Sequence, residues 1–192
     1  MILNLDPLSL IRYAWVGLGI FWTAGMLFTK RTARVQSIGS RLLHIAFVLP
    51  GAIFLGAPQL QIGWLGEHFV PDTSAVKIAG LAITLAGCLF AAWARLILGA
   101  NWSGRVTLKQ SHELITTGPY SLARHPIYTG LVVAAIGTAL AIGEWKCIIG
   151  VPLIVLAFIT KIRQEESMMM QAFPEAYPAY RKRVKALIPG VI

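Results

Sequence analysis

Apolar residues in this chain gather into long unbroken runs, and the polar residues gather between them. A membrane-crossing helix needs about 20 mostly apolar residues. Leu8 to Thr29 meets that length, with Arg12 near one end where its stem can snorkel. Leu42 to Ala57 is shorter and holds Pro50, and Val76 to Gly99 is long, with Arg95 close to its end. Ile127 to Gly143 and Ile148 to Ile162 flank the tight "GEWK" and read as an antiparallel hairpin of two short spans. The pattern predicts an all-α, polytopic membrane helix bundle of about five transmembrane helices. No repeat, low-complexity segment or sustained strand pattern interrupts it.

Composition sharpens this picture. Hydrophobic residues make up 56% of the 192 and charged residues 13%, against about 25% charged in soluble domains. A soluble coat cannot be assembled from so few charges, so one membrane-integral domain over 1–192 is expected. Its division falls near residue 100, with N-terminal helices in 1–100 and the chemistry-bearing region in 101–192. The start "MILNLDPLSL" has an acid and no basic n-region, so no cleavable signal peptide is expected.

The net charge of +9 sits between the apolar runs. Basic flanks facing anionic lipid explain it without nucleic acid. The first loop holds Lys30, Arg31, Arg34 and Arg41, the third Arg105, Lys109 and Arg124, and the tail Arg163, Arg181, Lys182, Arg183 and Lys185. The loop from Pro58 to Ser74 has Glu67 and Asp72 and no Lys or Arg before the next span. By the positive-inside rule the N-terminus is outside, and the third loop and the tail share the cytoplasmic side.

Polar chemistry concentrates in two stretches of that side. In "KQSHELITTGPYSLARHPIYTG", Lys109 to Gly130, "TGPY" is turn chemistry and Pro126 suits the first turn of a helix. The N–H groups of Ile127, Tyr128 and Thr129 would then stand free at a helix N-terminus, a place that favours an anionic group. Arg124 and His125 lie just before it. In "FITKIRQEESMMMQAF", Phe158 to Phe173, one helix leaves the membrane into a charged stretch. Lys161 and Glu165 share one face and Arg163 and Glu166 another. Solvated ion pairs explain these spacings too, but adjacent carboxylates at a membrane boundary favour a site. Met168 to Met170 read as packing or lipid contact. The tail "FPEAYPAYRKRVKALIP" reads as an amphipathic segment lying on the membrane, with a lid over the site as the other reading.

Cys88 and Cys147 lie in apolar runs and read as packing residues, and the lone His44 and His68, with no metal-ligand spacing around them, read as packing or interfacial residues. The six tryptophans read mostly as interface anchors. No Rossmann, Walker, nucleophile-elbow or zincin motif is present.

"HELITTGPYSLARHPIYTG" followed by "RQEES…FPEAYPAYRKRV…IP" resembles the isoprenylcysteine carboxyl methyltransferases and related membrane methyltransferases. The resemblance covers Asn101 to Pro189. It implies S-adenosyl-L-methionine bound at the cytoplasmic end of the last spans, in a site formed by the C-terminal helical segment. It assigns cofactor contacts to His112, Glu113, Leu114, Ile115, Tyr120, His125, Pro126, Ile127, Tyr128 and Glu165, with no metal. A basic residue one turn before the Glu pair would hold the substrate carboxylate. Lys161 fits by helix face and Arg163 by its planar fork, and Arg163 is preferred on residue type. An amine acceptor would need a base, and Glu166 could serve. The chain departs from the family's F-G-x-x-Y at Pro174.

The implied reaction is methyl transfer to a lipophilic acceptor, first the carboxylate of an isoprenylcysteine, with membrane lipid as surroundings. Phospholipid amine N-methylation, an NADPH-dependent sterol-type reductase and a non-catalytic transporter or sensor are the competing readings.

Overall fold

The computed structural model describes residues 6–27, 32–35, 38–57, 60, 62–99, 102, 107–109 and 114–187. Five long helices carry the chain up and down: α1 Pro7–Met26, α2 Ile38–Gly56, α3 Ser74–Leu98, α4 Pro126–Ile142 and α5 Lys146–Ala172. A short α6, Ala176–Arg183, comes after them. Asp6 caps α1 by accepting from the N–H groups of Leu8 and Ser9, and Thr73 caps α3 through Val76. Helices α3 and α5 are long and apolar enough to cross a membrane, and Arg41–Gly56 and Pro126–Ile142 are shorter apolar helices.

Each helix falls within a few residues of its predicted apolar run, except that α5 continues ten residues past Ile162 into the charged stretch. A short antiparallel ribbon also forms, β1 Thr32–Val35 with β2 Thr107–Lys109, pairing Thr32 with Lys109 and Val35 with Thr107. Sequence pattern does not reveal it, because three or four residues are too few for an alternation to register. The ribbon joins the first basic loop to the third at one end of the bundle.

The α4–α5 hairpin is not the main packing unit. Helix α4 packs chiefly on α3, and α5 chiefly on α2. Small residues explain the first contact: Gly80 and Gly87 of α3 face Gly137 and Gly130 of α4. A Cβ added at Gly80 would stand 2.6 Å from the Ala141 nitrogen and the Gly137 carbonyl. One added at Gly130 would stand 2.6 Å from the Ala91 nitrogen. Side chains cannot separate helices this close, so backbone packing replaces the hydrophobic effect that lipid does not provide. Gly51 does the same for α2 against α5, 2.9 Å from the Gly150 carbonyl.

Helices α4 and α5, joined by Gly143 in the left-handed region at φ 72°, are therefore held apart by their other partners. Between them and α1 and α2 runs an apolar cleft of about 1040 Å³. Its walls include Trp15, Leu55, Leu131, Ala135, Ile154 and Phe158.

Candidate functional site

At the ribbon end of the bundle, the start of α4 meets the charged half of α5. The chain reaches it through a 3-10 turn, Gly118–Ser121, that Gly118 opens at φ 60°. The turn buries Pro119 and Tyr120 against Ala94, Trp102 and Ile127, with Ile115 packed alongside. Pro126 occupies the first turn of α4, and His125 is its N-cap residue.

Two carboxylates organise the polar network around this turn. Glu166 is buried and accepts from Arg124 Nε at 2.8 Å and from the Arg124 terminal nitrogen at 2.5 Å. His125 Nε2 is 3.3 Å away from the same oxygen, and Arg181 Nε is 3.4 Å from the other. Glu165, a quarter exposed, accepts from the Tyr128 hydroxyl at 2.5 Å and lies 3.4 Å from His125 Nδ1. The histidine thus bridges the two carboxylates. Burial alone would lower its pKa, but hydrogen bonds and charge from Glu165 and Glu166 outweigh burial and hold it above the usual imidazole value.

Aromatic rings extend the site toward the membrane. His125 stacks on Tyr128 at 5.8 Å, and Tyr128 stacks on Phe158 at 4.9 Å, where the apolar cleft ends. The Lys161 ammonium lies 5.4 Å from the Tyr128 ring centroid, a cation–π contact. Arg163 is exposed on another face of α5. Of the two cations considered for a substrate carboxylate, Lys161 is the one brought to the His125–Tyr128–Glu165 cluster.

The tail is laced onto this site. Tyr177 and Tyr180 are buried, and the Tyr180 hydroxyl donates to the Tyr120 carbonyl at 2.5 Å. Burial pushes the Tyr180 hydroxyl up to about 12 and raises Tyr177 as well. The Arg124 amide donates to the Lys185 carbonyl at 2.8 Å and the His125 amide to the Ala186 carbonyl at 2.9 Å. The Arg124 guanidinium also donates to the carbonyl of Val184. The tail's tyrosines and its returning backbone thus dock on the 118–121 turn and the start of α4.

Two further expectations change. The Thr129 N–H is not free, because it donates to the His125 carbonyl at 3.1 Å. Trp102 is buried rather than an interface anchor, with the Arg95 guanidinium 4.4 Å from its ring centroid. Cys88 and Cys147 are buried and free, and the His44 ring bonds the Ala157 carbonyl, so these are packing residues as read. The structure brings Tyr120, His125, Pro126, Ile127, Tyr128, Lys161, Glu165 and Glu166 to one end of the bundle, with Leu114 and Ile115 on the approach. His112 and Glu113 lie outside the described residues. Among the described residues no group of acidic, His or Cys side chains could hold a metal. Sequence reasoning passed over Arg124 as a hub, although its place between the turn and the N-cap histidine was the available signal.

A sequence model described as the isoprenylcysteine carboxyl methyltransferase family matches residues 80–171. The protein-S-isoprenylcysteine O-methyltransferase of Xenopus laevis is 32% identical over 134 residues, which is 68% of this chain and 43% of that protein. The Homo sapiens protein of the same name is 30% identical over 138 residues, 70% of this chain and 45% of that protein. A nickel-cobalt-cadmium resistance protein of Alcaligenes xylosoxydans xylosoxydans, NccN, is 32% identical over 132 residues, 67% of this chain and 58% of that protein. The chain spans about half the length of the methyltransferases it matches.

Proposed function

We propose that this chain is an isoprenylcysteine carboxyl methyltransferase and methylates the carboxylate of an isoprenylcysteine or a similar lipidated acceptor, using S-adenosyl-L-methionine. The observation that carries this reading is the cluster of Glu165, His125, Tyr128 and Lys161, formed where the start of α4 meets the charged half of α5.

The donor set fits the cofactor. A zwitterion with an amino-acid end, a ribose diol and an aromatic base needs a carboxylate, cationic donors and ring faces within one site. Glu165 supplies the first, His125 and Lys161 the second, and Tyr128 with Tyr120 the third. Leu114, Ile115, Pro126 and Ile127 contribute apolar walls, and His112 and Glu113 complete the family set. Bound there, the cofactor supplies an electrophilic methyl group on a sulfonium centre.

The chain's own residues then position rather than transform. Lys161 orients the acceptor carboxylate, a role for which Arg163 is turned the wrong way. The carboxylate is already ionised, so no residue has to remove a proton. Glu166 is engaged by Arg124, His125 and Arg181, which suits an organiser of the site more than a base for an amine acceptor. Holding both reactants in line is where the rate advantage arises. The docked tail excludes water from the Glu166 side.

The same reading places five spans across the bilayer, with the N-terminus outside and the site and C-terminus cytoplasmic. Reporter fusions after Thr73 and at Ile192 test it, and a cytoplasmic signal after Thr73 would overturn it. Methyl transfer from radiolabelled cofactor to farnesylcysteine analogues in detergent tests the activity. Lys161→Ala should lose turnover while cofactor binding by titration calorimetry persists, and Arg163→Ala should be mild. If Arg163→Ala abolishes turnover and Lys161→Ala does not, the assignment of the acceptor cation is wrong.

A further inference from the structure

The apolar cleft has a second end. It opens where the N-termini of α1, α3 and α5 meet the C-termini of α2 and α4, the end of the bundle remote from Tyr128 and Glu165. Six polar side chains ring that mouth: Arg12, His68, Asp72, Lys77, Glu144 and Lys146. Nothing in the methyl-transfer reading uses them.

The mouth is unlike the rest of the cleft. Lys77 Nζ lies 2.6 Å from Asp72, and Lys146 Nζ lies 2.6 Å from Glu144. Lys146 is only 1% exposed and also donates to the Ala57 carbonyl at 3.2 Å. Arg12 donates to Ser9 Oγ at 3.0 Å, and Ser9 donates in turn to Asp6. Three cations, two carboxylates and an imidazole thus line the opening, so both signs of charge stand at one mouth. Below the ring, the walls turn apolar and descend to Ile154 and Phe158. The step from Lys146 to Phe158 is roughly 18 Å of helix, close to half of the roughly 30 Å hydrocarbon core of a bilayer. The volume, about 1040 Å³, is at the top of the roughly 300–1,000 Å³ range of small-molecule sites.

We propose that this cleft holds a zwitterionic glycerophospholipid with a primary ammonium head group, drawn from the leaflet at the remote end. Its phosphate meets Arg12 and Lys77, its ammonium meets Asp72 and Glu144, and one acyl chain descends toward Phe158. Carboxylates beside the cations select a head group bearing both signs over a purely anionic one, and they can accept hydrogen bonds from a primary ammonium. The depth matches one leaflet. An acceptor whose own head group is held at Lys161 presents nothing to fill a polar ring at the far mouth. The site needs no methyl-transfer activity, so it stands or falls separately from the proposed function.

The test uses the full-length chain, purified in detergent, stripped of lipid, and titrated with mixed micelles of dioleoyl phosphatidylethanolamine, phosphatidylglycerol or phosphatidylcholine. Native mass spectrometry counts the lipid retained. One phosphatidylethanolamine per chain is expected, retained in preference to the other two. The double variant Asp72→Asn/Lys77→Gln changes only exposed or half-exposed side chains, and should weaken retention about tenfold, as the loss of charged hydrogen bonds predicts. Val48→Trp, which fills the cleft without touching the mouth, should abolish it. Titration of S-adenosyl-L-methionine should be unchanged in the double variant, which also certifies its fold. Equal retention of phosphatidylglycerol, or undiminished retention in the double variant, overturns the proposal. So does a variant that leaves lipid retention alone but changes which acceptor chain lengths are methylated, because the cleft would then belong to the acceptor tail.

Discussion

The two ends of this bundle both hold paired charges, but they are assembled differently. At the remote end, Lys77–Asp72 and Lys146–Glu144 each join residues five or fewer apart in sequence. At the site end, Arg124 and His125 meet Glu165 and Glu166 across some forty residues, and the tail adds Arg181 and the carbonyls of Val184, Lys185 and Ala186 from sixty residues away. Local pairs form wherever a helix begins. The site network exists only if α4, α5 and the tail have all arrived. Charges at the candidate site are thereby coupled to the complete fold, while those at the other mouth pair locally.

Breaking the hub should show this contrast at its largest. Arg124→Ala leaves Glu166 buried with only the His125 imidazole and the exposed Arg181 beside it and unties the tail, and removing one partner of a buried pair costs about 3–5 kcal/mol. Thermal unfolding in detergent should show the loss, and limited proteolysis should cut the tail first. A stable Arg124→Ala protein with a protected tail would reduce the hub to an ordinary pair. Next, Glu165→Gln removes the negative charge that faces both Tyr128 and His125. It should weaken cofactor binding by about 1.5–3 kcal/mol, the worth of a charged hydrogen bond, measured by calorimetry.

The histidine sharpens the comparison through pH. Its pKa is raised in the folded state, so its stabilising contribution is complete below the ordinary value of 6.5. That contribution is lost as pH rises through the higher folded value. The stability gap between wild type and His125→Gln should therefore be widest in mild acid and close in alkali. A gap that grows with pH would mean the carboxylates do not hold the proton. The smallest effect belongs to the remote end: Lys77→Gln breaks a half-exposed pair of the kind that contributes little. Melting temperature and methyl transfer should both stay near wild type.

Legibility divides along the same line. Helix positions were readable because apolar runs of membrane length have few other uses, and Pro7, Pro126 and Thr73 mark starts by local chemistry. The pairing of Lys161 with the site face was implicit in its four-residue spacing from Glu165, yet residue type pointed to Arg163. Helical rotation carries Arg163 to the exposed face and Lys161 to the Tyr128 ring. The β1–β2 ribbon and the docking of Tyr177 and Tyr180 were not readable, because each depends on a partner more than fifty residues away.

By itself the sequence determined that five apolar helices alternate with basic and non-basic connections, and that the chemistry gathers after residue 100. Only the tertiary structure decided that α4 leans on α3 and α5 on α2. The cause is contact between backbones: glycines at 80, 87, 130 and 137 close one interface and Gly51 the other. The gap left between α4 and α5 became the cleft, and Phe158 at its inner end stacks on Tyr128 of the candidate site. A hydrophobic pattern fixes which residues leave water, but close packing fixes which neighbours they keep.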